Sequence, residues 1–188
     1  MGASGSRGGS PEVPRLAVAQ RVVGEWAPGR WAPGVVEALH GDLCDVLYDD
    51  GQRQYRVRRG LLSTDLPRWW LECGAGDCGG PVQLRPDEHS GSQQLRVGRA
   101  VQAVDVWERL VPDEVARNTI SREHFDVHCG SDMRFLIKNL SSKGTFLNGA
   151  LLHGEAPLRV GDAVAAGLLA GEGGLRPALV FRLALRPW

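Results

Sequence analysis

Asn139-Leu140-Ser141-Ser142-Lys143-Gly144-Thr145-Phe146-Leu147-Asn148-Gly149 is the stretch from which the rest of the chain is best read. Gly144 and the Asn148-Gly149 pair mark places where the backbone needs freedom, so the stretch belongs at a strand–loop junction. Working outward, the strand-like Arg134–Lys138 precedes it. Before that, His124–Cys129 is strand-like and grows out of a second polar cluster, Ser121-Arg122-Glu123-His124. A third cluster, Gly98-Arg99, ends the strand-like Leu95–Val97. Further runs at Val82–Leu84 and Ala178–Leu185 have the same texture, whereas no stretch carries the pattern of a helix of three turns or more. Glu114 to Ala116 fits a single helical turn at most. Turn signals every eight to twelve residues or so point to a β-sandwich, with the three clusters meeting at one end of it.

The whole chain has 188 residues, enough for one large domain or two small ones. Lys+Arg and Asp+Glu each total 22, so the net charge is zero, which argues against a protein that grips nucleic acid through bulk charge. Only Lys138 and Lys143 are lysines; the remaining cations are arginines, the better forks for anions. An apolar fraction of 43% excludes wholesale disorder, and 25 Gly with 11 Pro favour a turn-rich β protein. Cys44, Cys73, Cys78 and Cys129 show no paired framework and read as reduced thiols of an intracellular protein, in nucleus or cytoplasm. Cys73 and Cys78 lack a second ligand pair beyond the distant His89, so neither a metal nor another cofactor is expected. The longest apolar run, Ala163–Ala170, is too short to span a bilayer, and residues 1–10 lack the apolar core of a secretory signal. Met1-Gly2-Ala3-Ser4-Gly5-Ser6 fits the template for N-myristoylation on Gly2, against the plainer reading of a Gly/Ser-rich tail.

Gly98-Arg99, Ser121-Arg122-x-His124 and Asn139-x-Ser141-x-Lys143-Gly144-Thr145 with Asn148-Gly149 resemble, in order and spacing, the signature of the forkhead-associated (FHA) domain. The resemblance covers about residues 67–188; Leu158-Arg159-Val160-Gly161-Asp162 and Leu179-Val180-Phe181 match a turn and a closing strand of that family. It implies a β-sandwich that binds phosphothreonine peptides. The chemistry suits that role, since a phosphorylated side chain brings nearly two negative charges and three acceptor oxygens. Arg99 offers a fork to two oxygens, Ser121 a compact hydroxyl, Arg122 a second cation, and Ser142 a further hydroxyl. A small pocket for the threonine methyl would favour Thr over Ser by about 1 kcal/mol. Affinities on the order of micromolar, about −8 kcal/mol, are expected. Gly98, His124, Gly144, Thr145, Asn148 and Gly149 are expected to support the site rather than touch the ligand. The sequence departs from the family twice. Lys143 stands where an Asn usually holds the peptide backbone, and a Lys cannot donate and accept as an amide does; the alternative reading of Lys143 is a charge at the pocket rim. The segment from Arg99 to Ser121 is also long, and its Trp107 belongs either in the core or at the peptide surface.

Residues 1–15 read as a disordered leader and residues 16–65 as a small, strongly bent barrel. Strands are expected at Val18–Val23, Gly34–Leu39, Leu43–Tyr48 and Gln54–Val57, with Tyr55 and Val57 on one face and Leu61–Asp65 closing the barrel. Trp31-Ala32-Pro33-Gly34-Val35 with Tyr48-Asp49-Asp50-Gly51 resembles the pattern of Tudor-like barrels, an SH3-like fold. Reader members of that family bind methylated lysine in an aromatic cage. Trp26, Trp31, Tyr48 and Asp50 are the candidate cage here, although Ala32 and Gln52 stand where aromatics are usual.

Three other patterns are set aside. Gly74-Ala75-Gly76-Asp77-Cys78-Gly79 spells a dinucleotide fingerprint but is followed by Pro81 and a strand instead of a helix. Ser121, His124 and Asp126 lack a nucleophile elbow. Arg56, Arg58 and Arg59 read as a solvated strand edge, with no direct nucleic-acid contact expected. The expectation is an all-β, two-module chain: a non-enzymatic adaptor that binds a phosphothreonine-containing protein in phosphorylation-dependent assembly or signalling. The alternative is a methyl-lysine or chromatin reader whose FHA-like domain is structural.

Overall fold

The computed structural model describes residues 15–73, 82–87, 92–171 and 174–186. The leader to residue 14, the acylation pattern at Gly2, the Gly74–Gly79 pattern, Cys78 and His89 lie outside the described residues.

The N-terminal third forms one antiparallel sheet of β1 (Arg21–Ala27), β2 (Arg30–His40), β3 (Leu43–Tyr48), β4 (Arg53–Arg58) and β5 (Leu62–Ser63), in the order β4-β3-β2-β1-β5. Register shifts between β1 and β2, β2 and β3, and β3 and β4 bend it, as bulges do. A short 3-10 turn, Arg59–Leu61, returns the chain so that β5 lies beside β1. The sheet thereby wraps a small core of Val22, Val36, Cys44, Val46, Tyr48, Val57 and Leu62.

Two expectations fail in this part. The first strand begins at Arg21 rather than Val18, because Ala19 takes a positive φ of 65° in a turn closed by the Gln20 amide on the Ala17 carbonyl. Tyr55 and Val57 do not share a face: Tyr55 is 65% exposed and Val57 8%. Arg56 between them has φ of 59°, and its amide donates to Asp45 Oδ1 at 3.0 Å, which breaks the two-residue alternation.

The remaining strands build a sandwich. One sheet runs in the order β13 (Glu155–Leu158), β10 (Phe135–Asn139), β9 (Phe125–Cys129), β8 (Gln94–Val97). The other runs β12 (Ala150–Leu151), β11 (Thr145–Leu147), β14 (Ala163–Gly171), β15 (Gly174–Arg186), β6 (Arg68–Cys73), β7 (Val82–Leu84). Their inner faces meet in a core containing Leu71, Phe125, Val127, Ile137, Val164, Phe181 and Leu183, with Phe125 edge-on to Phe181 at 6.0 Å. Two short helices, α1 (Val104–Leu110) and α2 (Glu114–Asn118), occupy the long segment between Arg99 and Ser121. Trp107 and Leu110, three apart on α1, are buried against the sandwich, so Trp107 is a core residue and not part of a peptide surface.

The pairing of β9 with β10 fixes the two ends of the sandwich. Asn139 lies opposite Phe125 at one end and Phe135 opposite Cys129 at the other. The N-terminal sheet sits at the Phe135 end. Arg21 forks onto Asp49 at 2.5 and 2.6 Å and also donates to the Asp132 carbonyl in the β9–β10 turn. Val23 and Trp31 pack into the sandwich core, and Val160 packs back against the small core. At the other end, which carries the sequence clusters, Arg122, Ser142 and Lys143 are exposed among the described residues. Among the described residues, no helix is long and apolar enough to cross a membrane.

Candidate functional site

The three clusters do converge, and backbone bonds stitch the first two. The Arg99 amide donates to the Ser121 carbonyl at 3.0 Å, the Ala100 amide to Arg122 at 2.9 Å, and the His124 amide to Val97 at 2.7 Å. Gly98 makes this approach possible, because a Cβ there would stand 2.1 Å from the Arg122 carbonyl oxygen.

His124 ties in the third cluster. It is fully buried, its Nδ1 accepts the Ser121 amide proton at 2.9 Å, and its Nε2 faces the Gly144 carbonyl at 3.0 Å. A backbone N–H on Nδ1 requires that nitrogen to be bare, so Nε2 carries the proton and donates to Gly144. His124 therefore links the Ser121 loop to the Gly144 loop. Burial foremost pushes its pKa below the ordinary 6.5, because the charged form loses solvation. Between 6.5 and the lower folded value the unfolded chain binds more protons than the folded one, so His124 makes stability fall on acidification through that window. Melting temperatures measured from about pH 7.5 to 5.5 should drop less steeply for His124→Asn, whose amide can accept from Ser121 but does not titrate.

Within the third cluster the side chains organise the turn. Asn139 Oδ1 accepts from the Ser141 amide at 3.0 Å and from the Thr145 hydroxyl at 2.8 Å, and Thr145 is buried. The Ser141 hydroxyl accepts the Lys143 amide at 3.0 Å and lies 2.6 Å from the Ser121 hydroxyl. Ser141 is thus the buried link between two loops, while Ser142, the hydroxyl singled out from the motif, is exposed at the surface. Asn148 and Gly149 form the two-residue turn between β11 and β12 with φ of 50° and 84°, the geometry that Asn-Gly favours. Asn148 then clamps the next turn, donating to Asp162 Oδ1 at 2.8 Å and accepting from the Ala163 amide at 2.9 Å.

The cations gather at this end. Arg99 Nε donates to the Ile120 carbonyl at 2.6 Å and its Nη1 to Asn118 Oδ1 at 2.9 Å, while Nη2 makes no bond among the described residues. Lys143 Nζ donates to the Asn118 carbonyl. Arg122 is exposed. Its acidic neighbour Glu123 is engaged by Arg96 at 2.9 Å, which leaves the cluster positive. Asn118 is the residue that sequence reasoning missed. It lies in the long segment outside every motif, and no local pattern distinguishes it. A triad is not formed: Asp126 pairs bidentately with Arg96 at 2.8 and 2.9 Å, and both nitrogens of His124 have other partners.

The proposed aromatic cage is not assembled. Tyr48 is 1% exposed inside the small core, its hydroxyl donating to Gln54 at 2.7 Å, and burial pushes its pKa to about 12. Trp31 packs against the sandwich core instead, and Trp26 lies with Arg30 over its ring in a cleft of roughly 470 Å³ between the two modules. Asp50 is exposed on the β3–β4 turn, accepting the Gln52 amide. A methylated lysine needs open ring faces, and Tyr48 has none to offer.

Comparison with known proteins bears on the sandwich alone. Residues 95–167 match the FHA domain. Among solved structures, the chain is similar to the FHA domain of CT664 protein from Chlamydia trachomatis, at 24% identity, TM-score 0.42, over 62% of this chain and 96% of that one. It is also similar to the N-terminal FHA domain of Rad53p from S. cerevisiae, solved in complex with a phosphothreonine peptide, at 18% identity, TM-score 0.42, over 63% of this chain and 94% of that one. No curated protein matches the chain. The FHA segment runs from β8 through most of β14 and so contains all three clusters.

Proposed function

We propose that the FHA segment is a phosphothreonine-peptide-binding module, and that the chain acts as a non-enzymatic adaptor in phosphorylation-dependent assembly. One observation carries the reading: Arg99, Ser121, Arg122, Ser142 and Lys143 share one end of the sandwich, with Arg122, Ser142 and Lys143 exposed and Arg99 oriented by two neutral acceptors. Fixing a guanidinium before the ligand arrives lowers the ordering cost of binding. The bare Nη2 and the Ser121 hydroxyl then offer donors to phosphate oxygens from different directions. The N-terminal sheet, with its Tudor-like resemblance, serves in this reading as a docked scaffold at the far end. The buried Cys44 and Cys129 thiols, the latter pushed by burial to about 12, suit a reducing nuclear or cytoplasmic setting.

The test is a peptide array in phosphorylated and unphosphorylated versions, followed by titration of the best ligands. Binding that requires the phosphate and weakens in Ser121→Ala supports the reading; equal binding to both versions overturns it. The Lys143→Asn variant restores the amide usual in the family and removes one rim cation. It is expected to bind about two- to five-fold more weakly at low salt, with the difference vanishing at high salt.

A further inference from the structure

We propose that Asn118 is a positioning residue that holds Arg99 and Lys143 as a two-cation clamp for a phosphate-bearing ligand, an inference that rests on the phosphopeptide reading above. Asn118 closes α2, a helix that is itself well anchored. Asp113 caps it through the Ala116 amide at 2.9 Å, Ala116 is buried, and Arg117 donates to the Val111 and Pro112 carbonyls at 3.1 and 3.0 Å. From this fixed point Asn118 reaches both cations. Its side-chain oxygen takes Arg99, and its carbonyl, one of the unpaired acceptors at a helix C-terminus, takes Lys143.

The chemistry of the acceptors matters more than their number. Two like charges brought to one rim repel, and a carboxylate between them would relieve that by neutralising both. An amide oxygen and a carbonyl oxygen orient the cations and leave their charge unspent, so the charge remains for an incoming dianion. Lys143 also occupies the family's amide position, so the charge at that place in the motif is a feature of this chain, and Asn118 is what holds it beside Arg99. Asn118 is exposed and bears no core packing, so its replacement should leave the fold intact.

The experiment uses the full chain with two probes: a phosphothreonine peptide, and inorganic phosphate followed by amide NMR shifts at residues 98–100, 121–122 and 141–144. Asn118→Ala is expected to weaken both probes about five- to ten-fold, yet less than about two-fold in an Arg99→Ala background, because its effect passes through Arg99. Asn118→Asp should bind more weakly still and with a shallower salt dependence, although it preserves the side-chain acceptor. Wild-type affinity in both variants would overturn the clamp, and so would an Asn118→Ala loss that is undiminished without Arg99. If phosphorylated and plain peptides bind alike while phosphate still moves those amides in an Asn118-dependent way, the peptide reading falls and the clamp stands. If phosphate moves none of them, the clamp falls as well.

Discussion

Arg99→Ala is expected to bind a phosphothreonine peptide about 30- to 100-fold more weakly than the wild type while still folding. The magnitude follows from losing charge-assisted hydrogen bonds to a phosphate, each worth about 1.5–3 kcal/mol. The folding cost is smaller, because Arg99 is half-exposed and one of its two acceptors belongs to the exposed Asn118, so only the carbonyl of the buried Ile120 is left short of a partner. A loss of about 1 kcal/mol would lower the melting temperature by about 2–4 °C in a chain of this size. Fluorescence-polarisation titration beside a thermal melt separates the two effects. Unchanged affinity would place the phosphate elsewhere and remove the guanidinium from the site.

Gly98→Ala should do the opposite, acting on the fold first. An alanine Cβ would lie 2.1 Å from the Arg122 carbonyl oxygen, 2.6 Å from the Glu123 Cα and 2.7 Å from the Arg122 carbonyl carbon. All three are backbone atoms, so no rotamer change relieves the clash. The strand end must separate from the Ser121–His124 loop, breaking the Arg99–Ser121 and Ala100–Arg122 bonds that set the site. A cost of about 3 kcal/mol or more is expected, visible as a lowered urea midpoint. Gly149→Ala is the instructive comparison: a Cβ there meets nothing within 4 Å, and only the positive φ of 84° is penalised. That substitution should cost about 1–2 kcal/mol. Similar midpoints for the two variants would contradict the steric account of Gly98.

The parts of this molecule legible in one dimension are those decided by neighbours along the chain. Leu43–Tyr48 alternates cleanly and is a strand with those bounds, its Cys44, Val46 and Tyr48 turned inward. Asn148-Gly149 demands positive φ at two successive residues and forms the hairpin turn. The three polar clusters fall within residues 95–167, which match the FHA domain, and Arg99, Ser121, His124 and Ser141 meet at one end of the sandwich. Where contacts come from another element, the reading failed or stopped. Arg56 flips Tyr55 outward because an Asp45 oxygen on the adjacent strand takes its amide. Tyr48, a cage candidate on the sequence, is core because Gly24 leaves room for it: a Cβ there would lie 2.6 Å from the Tyr48 hydroxyl.

The class of fold and the strand-and-turn rhythm were legible in the sequence, since periodicity and turn chemistry are properties of the local chain. Only the tertiary structure decided that Ser141 bridges the loops, that Trp31 and Trp107 face the sandwich core, and that Asn118 joins Arg99 to Lys143. Those outcomes depend on which surfaces pack and which acceptors remain once the backbone has paired, and both are set by residues distant in sequence.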